Sequence, residues 1–276
     1  MPFKLILQLS VRNLFRYPRR NGLLLIAIAF ALAGATLTNS LMRGWQYDML
    51  DRAVENLVGH VKVQASEYRD DPNMAHSFAL PTNYDSSISG VEVVGWAPRI
   101  KVPAVILSER QSRGVQLVGI DPARENISFF SELAFAGETL ANKDDGRIVI
   151  GAELARQLQT AVGRKLVVLS QGADGKNRER GFRIAGTFDA DGTSLEKAFA
   201  FTGLTSTQAF LGDRSSDSPR PLVTEVSVLL ADELRRNDAV AELRVAFPDK
   251  DVADWRALQP QVAEMFAMAD VAIYII

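Results

Sequence analysis

The chain contains no cysteine, which excludes disulfides, zinc–thiolate sites, iron–sulfur clusters and thiol nucleophiles. Histidine is nearly absent as well: His60 and His76 are the only two, too few for a multi-histidine metal site. The G-x-x-x-x-G-K-[ST] phosphate loop, the G-x-S-x-G elbow, the H-E-x-x-H motif and the dinucleotide fingerprint are all missing. The nearest approach to a phosphate loop is Gly172-Ala173-Asp174-Gly175-Lys176-Asn177, which has neither the spacing nor the hydroxyl and reads as a polar turn between strands. The acids Asp144, Asp145, Asp189 and Asp191 sit among turn formers and read as solvated loop charges, not paired catalytic carboxylates. These absences argue against an enzyme and against a cofactor held by the chain itself.

What is present is segregated. The 276 residues include 31 basic and 33 acidic ones. Residues 1–20 hold five of the bases (Lys4, Arg12, Arg16, Arg19 and Arg20) and no acid, leaving 26 bases against 33 acids in the remainder. A basic head on an acidic body lacks the basic folded face that a nucleic-acid binder needs. Behind the head, Gly22 to Met42 reads GLLLIAIAFALAGATLTNSLM without a charge. About 20 helical residues cross the ~30 Å hydrocarbon core, so Gly22, Leu23, Leu24, Leu25, Ile26, Phe30, Leu32, Gly34, Leu37 and Met42 are assigned to a membrane-spanning helix over 22–42. The positive-inside rule places residues 1–21 in the cytoplasm, with Arg12, Arg16, Arg19 and Arg20 as orienting charges, and the body outside. Residues 3–16 alternate apolar and basic positions in a helical rhythm and can lie on lipid. Pro18 separates them from the span.

A cleaved signal peptide competes with an anchor, because Ala33-Gly34-Ala35 resembles a cleavage site. Against cleavage, the helical pattern runs on through Trp45, Met49 and Leu57, which predicts a stalk helix over 43–57. From Val58 to Ala65 the period becomes two, with the valines on one face of a half-buried strand and His60 at its surface. Residues 69–90 read as loop. Short apolar runs then predict strands at 102–107, 115–120, 147–150, 165–169, 182–188, 198–202 and 224–230. Modest helices are predicted at 152–160 and 205–211, and a third from Asp232 to Phe247 with Leu234, Val240, Leu243 and Phe247 on one face. The expected class is α+β, with the outer domain over 58–250. Trp255, Leu258, Val262 and Met265 continue in three- and four-residue steps toward an apolar VAIYII, predicting that 251–276 is a returning stalk helix opening a second span.

The order of these pieces resembles a family. LSVRNLFRYPRRNGLLLIAIAFALAGATL is similar to the cytoplasmic helix and first span of FtsX-like and MacB-like ABC-transporter permeases. GVQLVGIDPARE (114–125), RIVIGAELARQLQTAVGRKLVVLSQ (147–171), FRIAGTFDADGTSLEKAFAFTGLTSTQAFLG (182–212) and VTEVSVLLAD (223–232) follow in the family's order. The overall flavour is that of lipoprotein-releasing permeases. The resemblance implies a MacB-like periplasmic core domain on an inner-membrane subunit. It also implies a separate ATPase that binds the ATP, a second permease subunit, contact with membrane lipid, and a lipoprotein or other periplasmic partner. Two other readings share part of this layout: the input module of a two-span sensor, and an anchored envelope binding protein.

Overall fold

The computed structural model describes residues 17–55, 58–80, 90–212 and 222–265, and for 43 and 45–55 the backbone alone. The described parts fall into two units, one drawn from 1–51 and 261–276 and the other from Arg52–Pro260.

The first unit is dominated by helix α1, Pro18–Glu55. Its stretch Pro18–Met42 is long and apolar enough to cross a membrane. Leu23, Phe30 and Leu37 are 71, 80 and 71% exposed, so no protein layer covers them among the described residues. Thr36 and Thr38 return their hydroxyls to the carbonyls of Leu32 and Gly34, one turn back. Neither of these two hydroxyls is left without an acceptor.

The second unit is a mixed α+β domain with two connected β-structures. Strands β1 (Val61–Ala65), β3 (Val93–Leu107), β11 (Glu225–Leu230) and β12 (Lys250–Asp254) form an antiparallel sheet in the order β12-β1-β11-β3. At Arg99 the 15-residue β3 leaves this sheet, and from Ile100 it pairs with β4 (Ser112–Ile120). From β4 the pairing runs through β9 (Phe199–Gly203), β6 (Ile148–Gly151), β8 (Asn177–Asp189) and β7 (Lys165–Gln171). Since β7 also pairs with β3, the ring of strands closes on itself. β5 (Ala134–Gly137) adds to β8, and a short pair joins β2 (Phe78–Ala79) to β10 (Leu222–Val223).

The main core lies inside the ring and continues beneath the sheet. Helices α2 (Ala152–Gln157) and α4 (Leu204–Leu211), with the short α3 (Leu195–Ala198) between them in sequence, contribute Leu154, Leu204, Phe210 and Leu211 to it. Helix α5 (Arg236–Ala246) lays Ala239 and Leu243 against the sheet. A second, smaller core of Val118, Ile120, Phe130, Leu140, Val149, Phe188 and Phe201 covers part of the ring's outer side.

Two glycines are set by close approach. A Cβ on Gly151, which precedes α2, would fall 2.0 Å from the Glu196 carbonyl oxygen. One on Gly119 would fall 2.4 Å from the Thr207 hydroxyl. The polar turn Gly172–Asn177 is the β7–β8 hairpin tip, with Gly175 at φ +73°.

Several expectations need correction. Residues 69–90 include β2, whose Phe78 is buried against Phe247. Leu234 does not share the buried face of α5: it lies in a preceding 3-10 turn, Glu233–Arg235, and is 80% exposed. That turn has a different angular step, so the helical count fails across it. Asp145 is not a solvated charge. Its carboxylate accepts N–H bonds from Ala141 and Arg147 and pairs with the Arg147 guanidinium, keeping the side chain 7% exposed. The Arg147 hydrogen bonds hold the Asp145 carboxyl down at a pKa of about 2. Finally, the returning helix is not continuous from residue 251. Residues through Asp254 are strand β12, a short helix α6 spans Trp255–Leu258, and a break at Gln259 precedes helix 260–265. Pro260 accounts for the break, because it has no N–H to donate and pushes its predecessor out of the helical region.

Candidate functional site

The domain has one place where all its connections meet. β1, the first strand after α1, pairs antiparallel with β12, the strand before the C-terminal helices. Val61 stands opposite Asp254, and the Trp255 N–H donates to the His60 carbonyl at 3.1 Å. The chain therefore enters and leaves the domain on neighbouring strands. Trp255 seals the exit: it is 1% exposed, and its indole N–H donates to Glu233 Oε1 at 3.1 Å. Arg236 reaches both Glu233 and Asp254, tying α5 to the same corner. On the entry side Gly59 adopts φ +69°, where a Cβ would meet the Val228 carbonyl oxygen at 2.8 Å. His60 Nδ1 accepts the Leu230 N–H at 3.0 Å, so this histidine is a structural acceptor that holds the entry loop on β11.

Beside this junction lies a buried ionic network. Valines 61 and 63 face the apolar core, and the alternate residues Lys62 and Gln64 are also buried, at 5 and 4%. Lys62 Nζ donates to Glu225 Oε2 on β11 at 2.9 Å. Arg99 on β3, fully buried, donates Nε and Nη2 to the two oxygens of Glu125 at 2.8 Å each, and Nη1 to Ser227 Oγ. Ser128 adds a hydroxyl to Glu125 Oε2 at 2.6 Å. Glu125 comes from a 3-10 helix, Pro122–Ile127, which Asp121 caps and Pro122 starts. The Asp-Pro turn thus delivers a carboxylate onto the sheet.

Glu225 Oε1 has no hydrogen bond and stands 3.9 Å from Arg99 Nη1. Burial pushes the Glu225 carboxyl up, but Lys62, Lys101 and Arg99 outweigh it and hold the group below its ordinary range. For Lys62 burial wins over the attraction of Glu225, and its pKa falls to about 8. The network joins β1, β11 and β3 at the point where β3 passes into the ring. It can hold register, because removing one member strands a buried charge. Its one hydroxyl–carboxylate pair, Ser128 with Glu125, is buried, and among the described residues no cluster of metal-binding side chains exists.

The residues singled out from the sequence divide by unit. Gly22 through Met42, with Leu24, Leu25, Ile26, Leu32 and Gly34 among them, lie on α1, behind exposed Arg19 and Arg20. Arg12, Arg16, the helix expected over 3–16, Leu57 and the VAIYII end lie outside the described residues, as do the side chains of Trp45 and Met49. Leu258, Val262 and Met265 are half-buried or exposed, on either side of the break at Gln259. Trp255 belongs to the domain corner and not to a stalk seam. The ionic network escaped sequence reasoning, since Lys62 and Glu225 are 163 residues apart.

Residues 22–246 match the MacB-like periplasmic core domain. The chain belongs to the MacB/FtsX-like family of ABC-transporter permeases. It is a MacB-like extracytoplasmic domain behind an apolar helix, a transporter component and not a classical enzyme. No curated protein matches it. Among solved structures, it is similar to the extracellular domain of the noncanonic ABC-type transporter YknZ from Gram-positive bacteria. The identity there is 14%, covering 70% of this chain and 98% of that one at a TM-score of 0.46. The periplasmic region of MacB from Actinobacillus actinomycetemcomitans is 10% identical, over 74% of this chain and 92% of that one, with a TM-score of 0.46. A domain of a putative permease from Porphyromonas gingivalis is 17% identical, over 70 and 85%, with a TM-score of 0.37.

Proposed function

We propose that this MacB-like chain is the permease subunit of an ABC transporter in a bacterial inner membrane, with its N-terminus cytoplasmic and its main domain periplasmic. A separate ATPase subunit binds and hydrolyses the ATP. A second permease subunit, identical or different, completes the pair, and the periplasmic domain acts on a substrate such as a lipoprotein. The observation that carries this reading is the pairing of β1 with β12. Any displacement between the segments entering and leaving the domain loads that one pair of strands, and the ionic network passes the load to β3. Arg19 and Arg20 ahead of an uncharged span support the orientation by the positive-inside rule.

The test is co-expression of the chain with a candidate ABC-type ATPase subunit from the same genome, followed by reconstitution in nanodiscs. The expected result is a stable complex whose ATP hydrolysis depends on the permease, and single cysteines at Ser108 but not Arg12 labelled from outside intact spheroplasts. Failure of the pair to associate, or labelling of position 12 from outside, overturns the reading.

A further inference from the structure

The outer side of the ring is covered at one end and bare at the other. Val118, Ile120, Val149 and Phe201 lie beneath Phe129, Phe130 and Leu140. Along β4, β3, β7 and β8 the inward side chains, among them Val115, Ile106, Val168 and Phe182, fill the core, and the alternate residues face out. Of these, Val105, Leu107 and Val167 keep 38, 37 and 39% of their surface exposed. Two glycines stand on the same face, Gly114 opposite Val105 and Gly181 opposite Val167. Neither has a positive φ, nothing lies within 4 Å of a Cβ placed on either, and the ladder passes through both without a shift of register. Neither backbone conformation nor internal packing therefore calls for glycine, which weakens a strand. Close approach of another backbone from outside does call for it.

Charge on this face is arranged in rows. Across β7 and β8, Lys165 stands opposite Arg183, Val167 opposite Gly181, and Leu169 opposite Glu179. Two cations thus lie one row to one side of the Val167–Gly181 pair, and an acid lies one row to the other, each row about 7 Å from the next. Like charges directly opposite each other are destabilising. Arg183 donates to the Gly163 carbonyl at 2.8 Å, and among the described residues neither cation nor Glu179 is in an ion pair.

Such an arrangement is complementary to itself. When two copies of a sheet pack face to face, the two-fold axis lies in the plane between them. An axis along the strands would set cations on cations. An axis across the strands, through the Val167–Gly181 row, sets Arg183 of each copy over Glu179 of the other, with Lys165 one strand away. Val167 and its neighbour Leu107 then meet their own counterparts, and Gly181 lets the two sheets close to about 10 Å. We infer that the outer face of β4, β3, β7 and β8 is a two-fold contact between two copies of this chain. Four strands by three or four rows give roughly 400 Å² on each copy, at the lower limit for a specific interface. The contact therefore forms between copies already held in one membrane, where their effective concentration is high. It rests on the permease reading only for the second subunit, which it takes to be identical.

The test uses the full chain, which has no cysteine of its own, carrying Val167→Cys and expressed in membranes without an ATPase. A short bismaleimide is expected to couple two copies through position 167 but not through Val245→Cys on α5, although Val245 is the more exposed. In the Val167→Cys background, Glu179→Arg alone, or Lys165→Glu together with Arg183→Glu, should lower the yield about fivefold, because the axis repeats each contact. Co-expression of these two charge variants should restore most of it, since the exchanged charges then face each other. No product at 167 above that at 245, a yield indifferent to the charge reversals, or no recovery on mixing overturns the proposal. So does coupling of position 167 to a different protein alone. Failure of the chain to associate with an ATPase, with the cross-link intact, counts against the permease reading and leaves this contact standing.

Discussion

The closed ring and the four-stranded sheet beside it bury their strands by opposite chemistry. Where the ring strands are covered on both sides, both sides are carbon: Ile148 and Ile150 face inward, Val149 and Phe201 outward under Phe130. The sheet buries Val61, Val63, Val226 and Val228 on its core side. Its other side buries Lys62, Gln64, Arg99, Glu225 and Ser227. Carbon packing tolerates exchange of shape at constant volume, whereas a charge network tolerates loss of no single member. The ring therefore suits a rigid body, and the sheet suits a joint whose register has to be unique. The chain enters and leaves through the sheet.

The largest effect is expected at Arg99. Arg99→Ala strands Glu125 and should cost about 3–5 kcal/mol in denaturant unfolding of the outer domain. Arg99→Met with Glu125→Leu should recover most of that loss, and if it does not, the network contributes more than charge balance. In the ring, Phe201→Ala should cost about 3–4 kcal/mol, whereas Phe201→Leu, with a smaller volume change, should cost clearly less. Gly151→Ala should cost about 1–3 kcal/mol, because backbone and not a flexible side chain occupies the Cβ position.

Smaller effects follow from titration. The folded chain releases the Lys62 proton at about 8, below the ordinary 10.5, so the unfolded chain binds more protons between those values. Stability should therefore rise with pH from 8 to 10.5 by an amount that Lys62→Met removes; identical profiles for the two proteins would contradict the burial of this ammonium. Asp145 gives a slope of the same sign at the acid end, but there the lowered pKa is a stabilising contribution. Its lowered pKa stabilises the folded state above about 4, and that contribution should fade as pH drops toward 2, in a comparison with Asp145→Asn.

Much of this architecture can be read locally. The uncharged run from Gly22 to Met42 is sufficient for the apolar helix, and the alternating Val61 and Val63 mark their strand without knowledge of a partner. The Gly172–Asn177 turn and the Asp121-Pro122 start of a 3-10 helix are set by φ preferences of a few adjacent residues. Pro260 carried a legible signal too, since a proline inside a helical pattern marks a break. Lys62 carried none: a lysine in period two with valines ordinarily faces water.

The apolar helix, the α+β class and most strand positions are determined by the sequence itself, because periodicity and turn chemistry act over neighbouring residues. Only the tertiary structure decides that β1 and β12 are neighbours, that Trp255 belongs to the domain and not to a stalk, and that Lys62 is buried against Glu225. Each of those facts joins residues far apart along the chain. A charge can be buried only when its counter-charge arrives from another strand, so its environment is settled by the fold as a whole.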